Sequence, residues 1–282
     1  MSVVIGIDVG GSTTKIVGFK SNKCGKELIT PQFIKANDPI TSIYGAFGKF
    51  TDENRIPLSD IDDIMMTGVG SAFVERGLYG LKCTKVPEFR ALGLGGLYLS
   101  KLPSALCISM GTGTALVHAT ADGNMNYLGG TGVGGGTLMG LSKLLLGAEL
   151  VEHISDMAKA GELSKIDLRI SDMTKSDNLT ELSRDLTASN FGNVSDIATK
   201  EDIGAGLVNM VLETVGMISV FGARSVGVKN IVLTGNLTQL DICKEKFVQF
   251  NSIYANEGLN FIIPNQSQYA TAIGAALCAC RD

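Results

Sequence analysis

The stretch "IGIDVGGSTTKIVGF", residues 5–19, decides how this chain is read. An apolar run ends in one carboxylate, Asp8. Two glycines, three hydroxyls and Lys15 follow, and the chain then returns to an apolar run. Asp8 is the only charged side chain between Met1 and Lys15. Runs 3–9 and 14–20 read as two strands of a hairpin. A tight turn between them exposes backbone N–H groups on one side, and glycine lets the chain approach an anion closely. Ser12, Thr13 and Thr14 add hydroxyl donors, and Lys15 adds a point charge for phosphate oxygens. Asp8, itself an anion, has no use as a direct phosphate ligand. Its sensible role is to hold Mg²⁺ through water, since magnesium keeps part of its hydration shell. Asp8, Gly10, Gly11, Ser12, Thr13, Thr14 and Lys15 thus read as a nucleoside-triphosphate and metal site. The plainer alternative is an ordinary hairpin turn with a solvated aspartate.

The bulk properties narrow the rest. A chain of 282 residues holds one large or two medium domains and a sizeable core. With 45% hydrophobic and 18% charged residues it is globular. A net charge of −4 argues against electrostatic binding of nucleic acid or of an anionic membrane. The 35 glycines cluster at 10–11, 93–96, 111–113 and 129–136, as local devices rather than flexible filler. Six cysteines form no CxxC pair, and Cys278 and Cys280 stand too close for zinc or redox spacing. Free thiols without a signal peptide point to the cytoplasm. No apolar run approaches the ~20 residues of a membrane helix. His118 and His153 read as ordinary histidines.

The opening pattern returns a hundred residues later. "SALCISMGTGTALVHA" (104–119) is again apolar run, Gly/Thr turn, apolar run, with Gly10 aligned to Gly111 and Thr13 to Thr114. This internal repeat suggests two similarly built lobes. Between the hairpins we expect strands at 28–35 and 81–86, a short strand running into a glycine turn in "DDIMMTGVG" (62–70), and helices at 38–50 and 88–100. Beyond them come a glycine loop at 129–136, a helix at 137–146, a long helix at 202–224, a buried strand in "KNIVLTGN" (229–236), and helices at 237–250 and 268–279. Strands alternating with helices imply an α/β architecture. Walker A spacing is absent, and no strand runs through a glycine turn directly into a helix near Gly10. A third turn, "LTGN" (233–236), ends a buried strand, where open α/β sheets present ligand sites.

These three turns, in this order, resemble the phosphate-1, phosphate-2 and adenosine motifs of the acetate and sugar kinase, heat-shock protein 70 and actin superfamily. Within it the chain resembles the type II pantothenate kinases. "GIDVGGSTTKIV" (6–17), "VPEF" (86–89), "MGTGTALVH" (110–118), "GGTGVGGGTLMGL" (129–141), "DLTASNFGNV" (185–194) and "AIGAAL" (272–277) carry the likeness. The resemblance implies a two-lobed, actin-like ATPase fold of ribonuclease H-like sheets with helices, the nucleotide lying between lobes 1–103 and 104–282. It implies ATP-dependent phosphorylation of pantothenate to 4'-phosphopantothenate, the first step of coenzyme A biosynthesis, with ATP and Mg²⁺. It also implies a homodimer built on a long helix; the 202–224 stretch fits that role and fits a buried core helix equally well.

Family roles carry over residue by residue. Glu88, in "KVPEFRA", falls where the family places its general base; without the resemblance it reads as a first-turn glutamate favouring the following helix. Thr112, Gly113, Gly135, Gly136 and Thr137 fall near the ATP phosphates, at a helix N-terminus suited to anions. Asn236 falls beside the nucleoside, and also reads as a helix N-cap. Two positions depart from the pattern. Tyr127 stands where the family has the arginine that binds the pantothenate carboxylate, and Arg90 stands where it has an acidic residue. Arg90 can replace the missing cation, or the substrate is a neutral relative such as pantetheine or another hydroxyl compound. A second reading is a partner-coupled ATPase of the 2-hydroxyacyl-CoA dehydratase activator type, which would need a cysteine in a glycine-rich context. A third, an N-acetylhexosamine kinase or sugar-sensing regulator, lacks its zinc cluster or sugar-binding motif here. No role for 185–194 follows from its residues.

Overall fold

The computed structural model describes residues 2–11, 13–22, 25–35, 38–75, 77–173, 183–184 and 186–279. β1 (Ser2–Val9), β2 (Thr13–Asn22) and β3 (Gly25–Lys35) form an antiparallel meander. α1 (Pro39–Glu53) follows, then β4 (Ile61–Thr67), parallel to β1, and β5 (Cys83–Lys85), parallel to β4. The sheet order is β3-β2-β1-β4-β5. α1 starts where its sequence dictates: the Asp38 carboxylate accepts from the Thr41 amide at 2.6 Å, and Pro39 fills the first turn, where no N–H is needed.

The plan then repeats. After α2 (Glu88–Ser100), strands β6 (Ser104–Met110), β7 (Thr114–Thr120) and β8 (Met125–Thr131) form a second meander. α3 (Gly135–Leu146) and α4 (Val151–Ala160) lead to β9 (Leu168–Arg169), α5 (Ile170–Met173) and β10 (Thr187–Ser189). The long α6 (Lys200–Val226) precedes β11 (Asn230–Thr234), parallel to β6. α7 (Asp241–Ile253), β12 (Asn260–Ile262), parallel to β11, and α8 (Ala270–Cys278) close the chain. The second sheet has the order β12-β11-β6-β7-β8. It is the first sheet's topology again, which is what the repeated hairpin in the sequence announced.

Two helices lie between the sheets. α8, although last in the chain, packs on the first sheet, and α2 packs on the second as well as on α8. Small residues make this layer thin. A side chain on Gly6 would begin 2.1 Å from the Ala272 carbonyl oxygen, and one on Gly274 would begin 1.7 Å from that of Ala91. α1 covers the outer face of the first sheet, its Phe47 and Phe50 buried against Ile5, Ile7 and Ile16 of the strands. Each such side chain contributes about 1.5–3 kcal/mol of transfer free energy.

Several sequence expectations need adjustment. β8 occupies 125–131, so the glycine loop shrinks to 132–134 and its helix starts at Gly135. The helix expected from 237 begins at Asp241, after one tight turn at Asn236–Gln239. α6 is long and apolar enough to cross a membrane by length and composition, contrary to the reading that no run approaches that length. Its most apolar window is 67% buried inside the protein, where Leu207, Val211, Leu212 and Val215 join the second core.

The unexplained 186–194 stretch is tied to α6 by a buried polar network; position 185 lies outside the described residues. The Thr187 amide and hydroxyl donate to the two Glu213 carboxylate oxygens at 2.8 and 2.7 Å. The Phe191 amide donates to Asp167 at 2.8 Å. Asn209 donates to Asp167 at 2.7 Å and accepts from Lys246 Nζ at 2.7 Å. Burial pushes the Glu213 carboxyl up, but Lys246 and the bonds from Thr187 and Asn209 outweigh it and hold the group below the ordinary range.

Candidate active site

Strand register sets the first wall. Asp8 stands opposite Lys15 on β2 and opposite Thr67 on β4. Register partners share a sheet face, so the three side chains form a row. Lys15 Nζ lies 3.9 Å from Asp8 Oδ2, and the two side chains are only 9% and 13% exposed. Burial pushes the Asp8 carboxyl up, with Lys15 opposing. Burial pushes the Lys15 ammonium down, with Asp8 and then Glu88 opposing. At the turn, the Gly10 amide donates to the Thr13 carbonyl at 2.9 Å. Ser12 lies outside the described residues. Thr14 is not brought into the row. It faces the other side of the sheet, buried, and accepts from the Ser42 hydroxyl at 2.7 Å.

The second turn faces the first. A side chain on Gly11 would begin 4.0 Å from the Thr112 hydroxyl. The Gly111 amide donates to the Gly113 carbonyl at 3.0 Å, closing the turn. The glycine-rich segment then braces it. Gly135 donates to Gly111, and Gly136 to the Thr112 carbonyl, each at 2.8 Å. A side chain on Gly134 would begin 2.8 Å from the Thr112 carbonyl oxygen, so the segment nests directly on the turn. The Thr137 hydroxyl donates to the Gly132 carbonyl at 2.8 Å. The amides of Gly135 and Gly136, expected to face phosphate, are therefore committed to shaping the second turn.

The third turn sits against the same place. Gly235 has φ +95°, and a side chain there would begin 2.5 Å from the Met110 carbonyl oxygen. Only glycine combines that dihedral with that approach. Asn236 follows, half-buried, as the first residue of the turn, with Gly235 and not Asn236 at the cap position. A side chain on Gly135 would begin 3.7 Å from Leu237 Cδ2.

Glu88 opens α2, directly after Pro87. The residue is exposed, yet the cleft walls still desolvate its carboxyl and push it up; the Asp8 charge adds to this and Lys15 opposes it. Asp8, Lys15 and Glu88 thus form one electrostatic cluster. The next residue, Phe89, stacks on Tyr127 of β8, with ring centroids 3.9 Å apart and planes 10° from parallel. This brings Tyr127 to the same wall as Glu88. Arg90 is exposed and makes no ion pair among the described residues. An open cavity of about 530 Å³ lined by Phe47, Arg55 and Tyr79 contains none of these residues.

Sequence reasoning missed Thr67 and Gly68. The signal was present in "MMTGVG" (65–70), a strand running into a glycine turn, but it carries no lysine or paired glycines to mark it. Thr67 is 1% exposed, and its hydroxyl has no hydrogen-bond partner among the described residues. Gly68 has φ +84°, and a side chain there would begin 2.7 Å from Asp8 Oδ1.

Comparisons with known proteins bear on the family and the fold. The family model described as Fumble matches residues 98–278. A protein named type II pantothenate kinase from Oceanobacillus iheyensis is 32% identical over 97% of this chain and 98% of its own. One of that name from Bacillus cereus is 29% identical over 99% of both chains. Among solved structures, the activator of 2-hydroxyisocaproyl-CoA dehydratase from Clostridium difficile, with bound ADPNP, superposes with a TM-score of 0.67 at 17% identity, covering 98% of this chain and 94% of its own. The (R)-2-hydroxyglutaryl-CoA dehydratase component A of Acidaminococcus fermentans gives 0.66 at 19% identity, covering 99% and 97%. At such identities the structural likeness speaks to fold alone, which is the two-lobed α/β architecture of this ATPase group.

Proposed function

The chain belongs to the type II pantothenate kinase family, the group described as Fumble, and from that premise we propose how its cleft phosphorylates pantothenate with ATP. The carrying observation is the cluster of Asp8, Lys15 and Glu88 at a cleft whose two Gly/Thr turns face each other. Phosphoryl transfer asks a protein for positioning, charge neutralisation and a base near the nucleophile. The turns around Gly10, Gly11 and Thr13, and around Thr112 and Gly113, take the ATP phosphates from two sides. Gly135 and Gly136 hold the second turn in shape, Thr137 closes the segment, and Asn236 lies toward the nucleoside. Lys15 neutralises phosphate charge. A Glu88 carboxylate oxygen accepts the proton of the pantothenate hydroxyl as its oxygen bonds the γ-phosphorus. The bond from that phosphorus to the β–γ bridging oxygen breaks, and ADP leaves. The raised Glu88 carboxyl is the better base for it.

Asp8 suits Mg²⁺. Magnesium is held by one or two carboxylates together with substrate phosphates and its own waters. Asp8 supplies one carboxylate, and beside it stands the Thr67 hydroxyl, which has no partner among the described residues. When bound, the ion supplies charge neutralisation to the phosphates.

Tyr127 and Arg90 form the acceptor end. Tyr127 donates a hydrogen bond to the pantothenate carboxylate, and Arg90 supplies the cation. The reading includes a homodimer seated partly on α6, whose Phe221 is 56% exposed, and a cytoplasmic location. Cys107 is buried between α2 and the second sheet, which suits a core residue rather than a ligand shared across a subunit interface. An ADP-release assay with pantothenate, pantetheine or no acceptor tests the reading. Turnover with pantothenate supports it. Turnover with pantetheine alone makes the missing arginine a specificity switch. Acceptor-independent turnover contradicts it.

A further inference from the structure

One group in the Lys15–Asp8–Thr67 row is left without a task. Thr67 ends β4 in parallel register with Asp8, so the two side chains stand next to each other on one sheet face. Its hydroxyl is buried and has no partner among the described residues. Native structures rarely leave such a group standing, because it keeps its desolvation penalty and gains nothing in return. The backbone closes tightly round the same corner. A side chain on Gly68 would begin 2.4 Å from the Val9 carbonyl oxygen and 2.7 Å from Asp8 Oδ1. A hydroxyl in this corner can accept one hydrogen bond and donate another, so it can serve a water and a carboxylate together.

We propose that Thr67 is a positioning residue of the nucleotide site: its hydroxyl accepts a hydrogen bond from a water of the Mg²⁺ that Asp8 holds. It thereby fixes the hydrated ion against the carboxylate. This rests on the reading of Asp8 given above. It explains why a polar side chain ends β4 at a buried position where valine would pack as well.

The test uses Thr67→Val, which removes the hydroxyl at nearly constant shape, Thr67→Ser, which keeps it, and Asp8→Asn. A fluorescent ATP analogue is titrated with excess Mg²⁺ and again with EDTA, and the nucleotide-free proteins are melted. Thr67→Val is expected to melt at or above the wild-type temperature, because the orphan hydroxyl is gone. It should lose about ten-fold of the Mg²⁺-dependent gain in affinity, with the EDTA affinity unchanged. Thr67→Ser should behave as wild type. The proposal is overturned if Thr67→Val keeps the Mg²⁺-dependent gain while Asp8→Asn loses it. It is equally overturned if Thr67→Val lowers the melting temperature and both affinities together, which marks a purely structural role. An Asp8→Asn variant with the full gain removes the reading beneath it.

Discussion

Phe89 and Tyr127 stack face to face, with centroids 3.9 Å apart, and so join the first turn of α2 to the edge of the second sheet. Aromatic pairs are worth about 0.5–1.5 kcal/mol beyond their buried area. The stack holds Tyr127 against the residue that follows Glu88.

The stack separates two contributions of Tyr127. Tyr127→Phe keeps the ring and removes the phenol. We expect a several-fold rise in the KM for pantothenate with little change in kcat, the signature of lost uniform binding. Tyr127→Ala should lower kcat as well, because Phe89 and with it Glu88 lose their support. Steady-state kinetics of the two variants decides; equal effects would show that the phenol does nothing separate.

Arg90 is expected to supply the cation. Arg90→Ala should raise the KM for pantothenate and leave that for pantetheine, which has no carboxylate, unchanged. An Arg90→Ala enzyme with an unaltered pantothenate KM removes this residue from the acceptor end.

Glu213 predicts an acid limit to stability. Its carboxyl sits below the ordinary value of 4.5 when folded. It therefore contributes stability that is fully present above pH 4.5 and is lost as pH falls through the folded value. Chemical denaturation between pH 7 and 3 should show wild-type stability falling in that window, and Glu213→Gln should flatten the fall while lowering stability at pH 7. A variant with the wild-type acid profile would place the loss elsewhere.

Two thiols should be inert. Burial pushes both Cys107 and Cys243 up to about 12. The thiolate is the reactive form, so neither should alkylate in the native protein at pH 8, and both should in denaturant. Mass spectrometry of iodoacetamide-treated protein reads this site by site. Native labelling of Cys107 would show that α2 opens from the second sheet.

Much of this fold was legible because its elements are punctuated. Asp38 and Pro39 mark the start of α1, Pro87 precedes α2, and the two Gly/Thr turns mark the paired hairpins. β8 was hidden because its Gly129 and Gly130 read as loop, yet both lie in the strand. The last-chain helix α8 showed as a small-residue run, but nothing local tells that it returns to the first sheet. The site was legible where a turn exposes several donors at once. Thr14 misled because period-2 alternation turns it away from its neighbours Thr13 and Lys15. Thr67 escaped because its meaning comes from register with Asp8 across the sheet, and register is a long-range property.

The central claim is that Glu88 takes the proton from the acceptor hydroxyl in this cleft. The most direct measurement is pantothenate-dependent ADP release by Glu88→Ala beside wild type, with ATP-analogue binding measured on the same samples. The account predicts that nucleotide binding survives and turnover falls by at least about a hundred-fold, the usual share of a general base. Pantothenate-dependent turnover within a few-fold of wild type would contradict it.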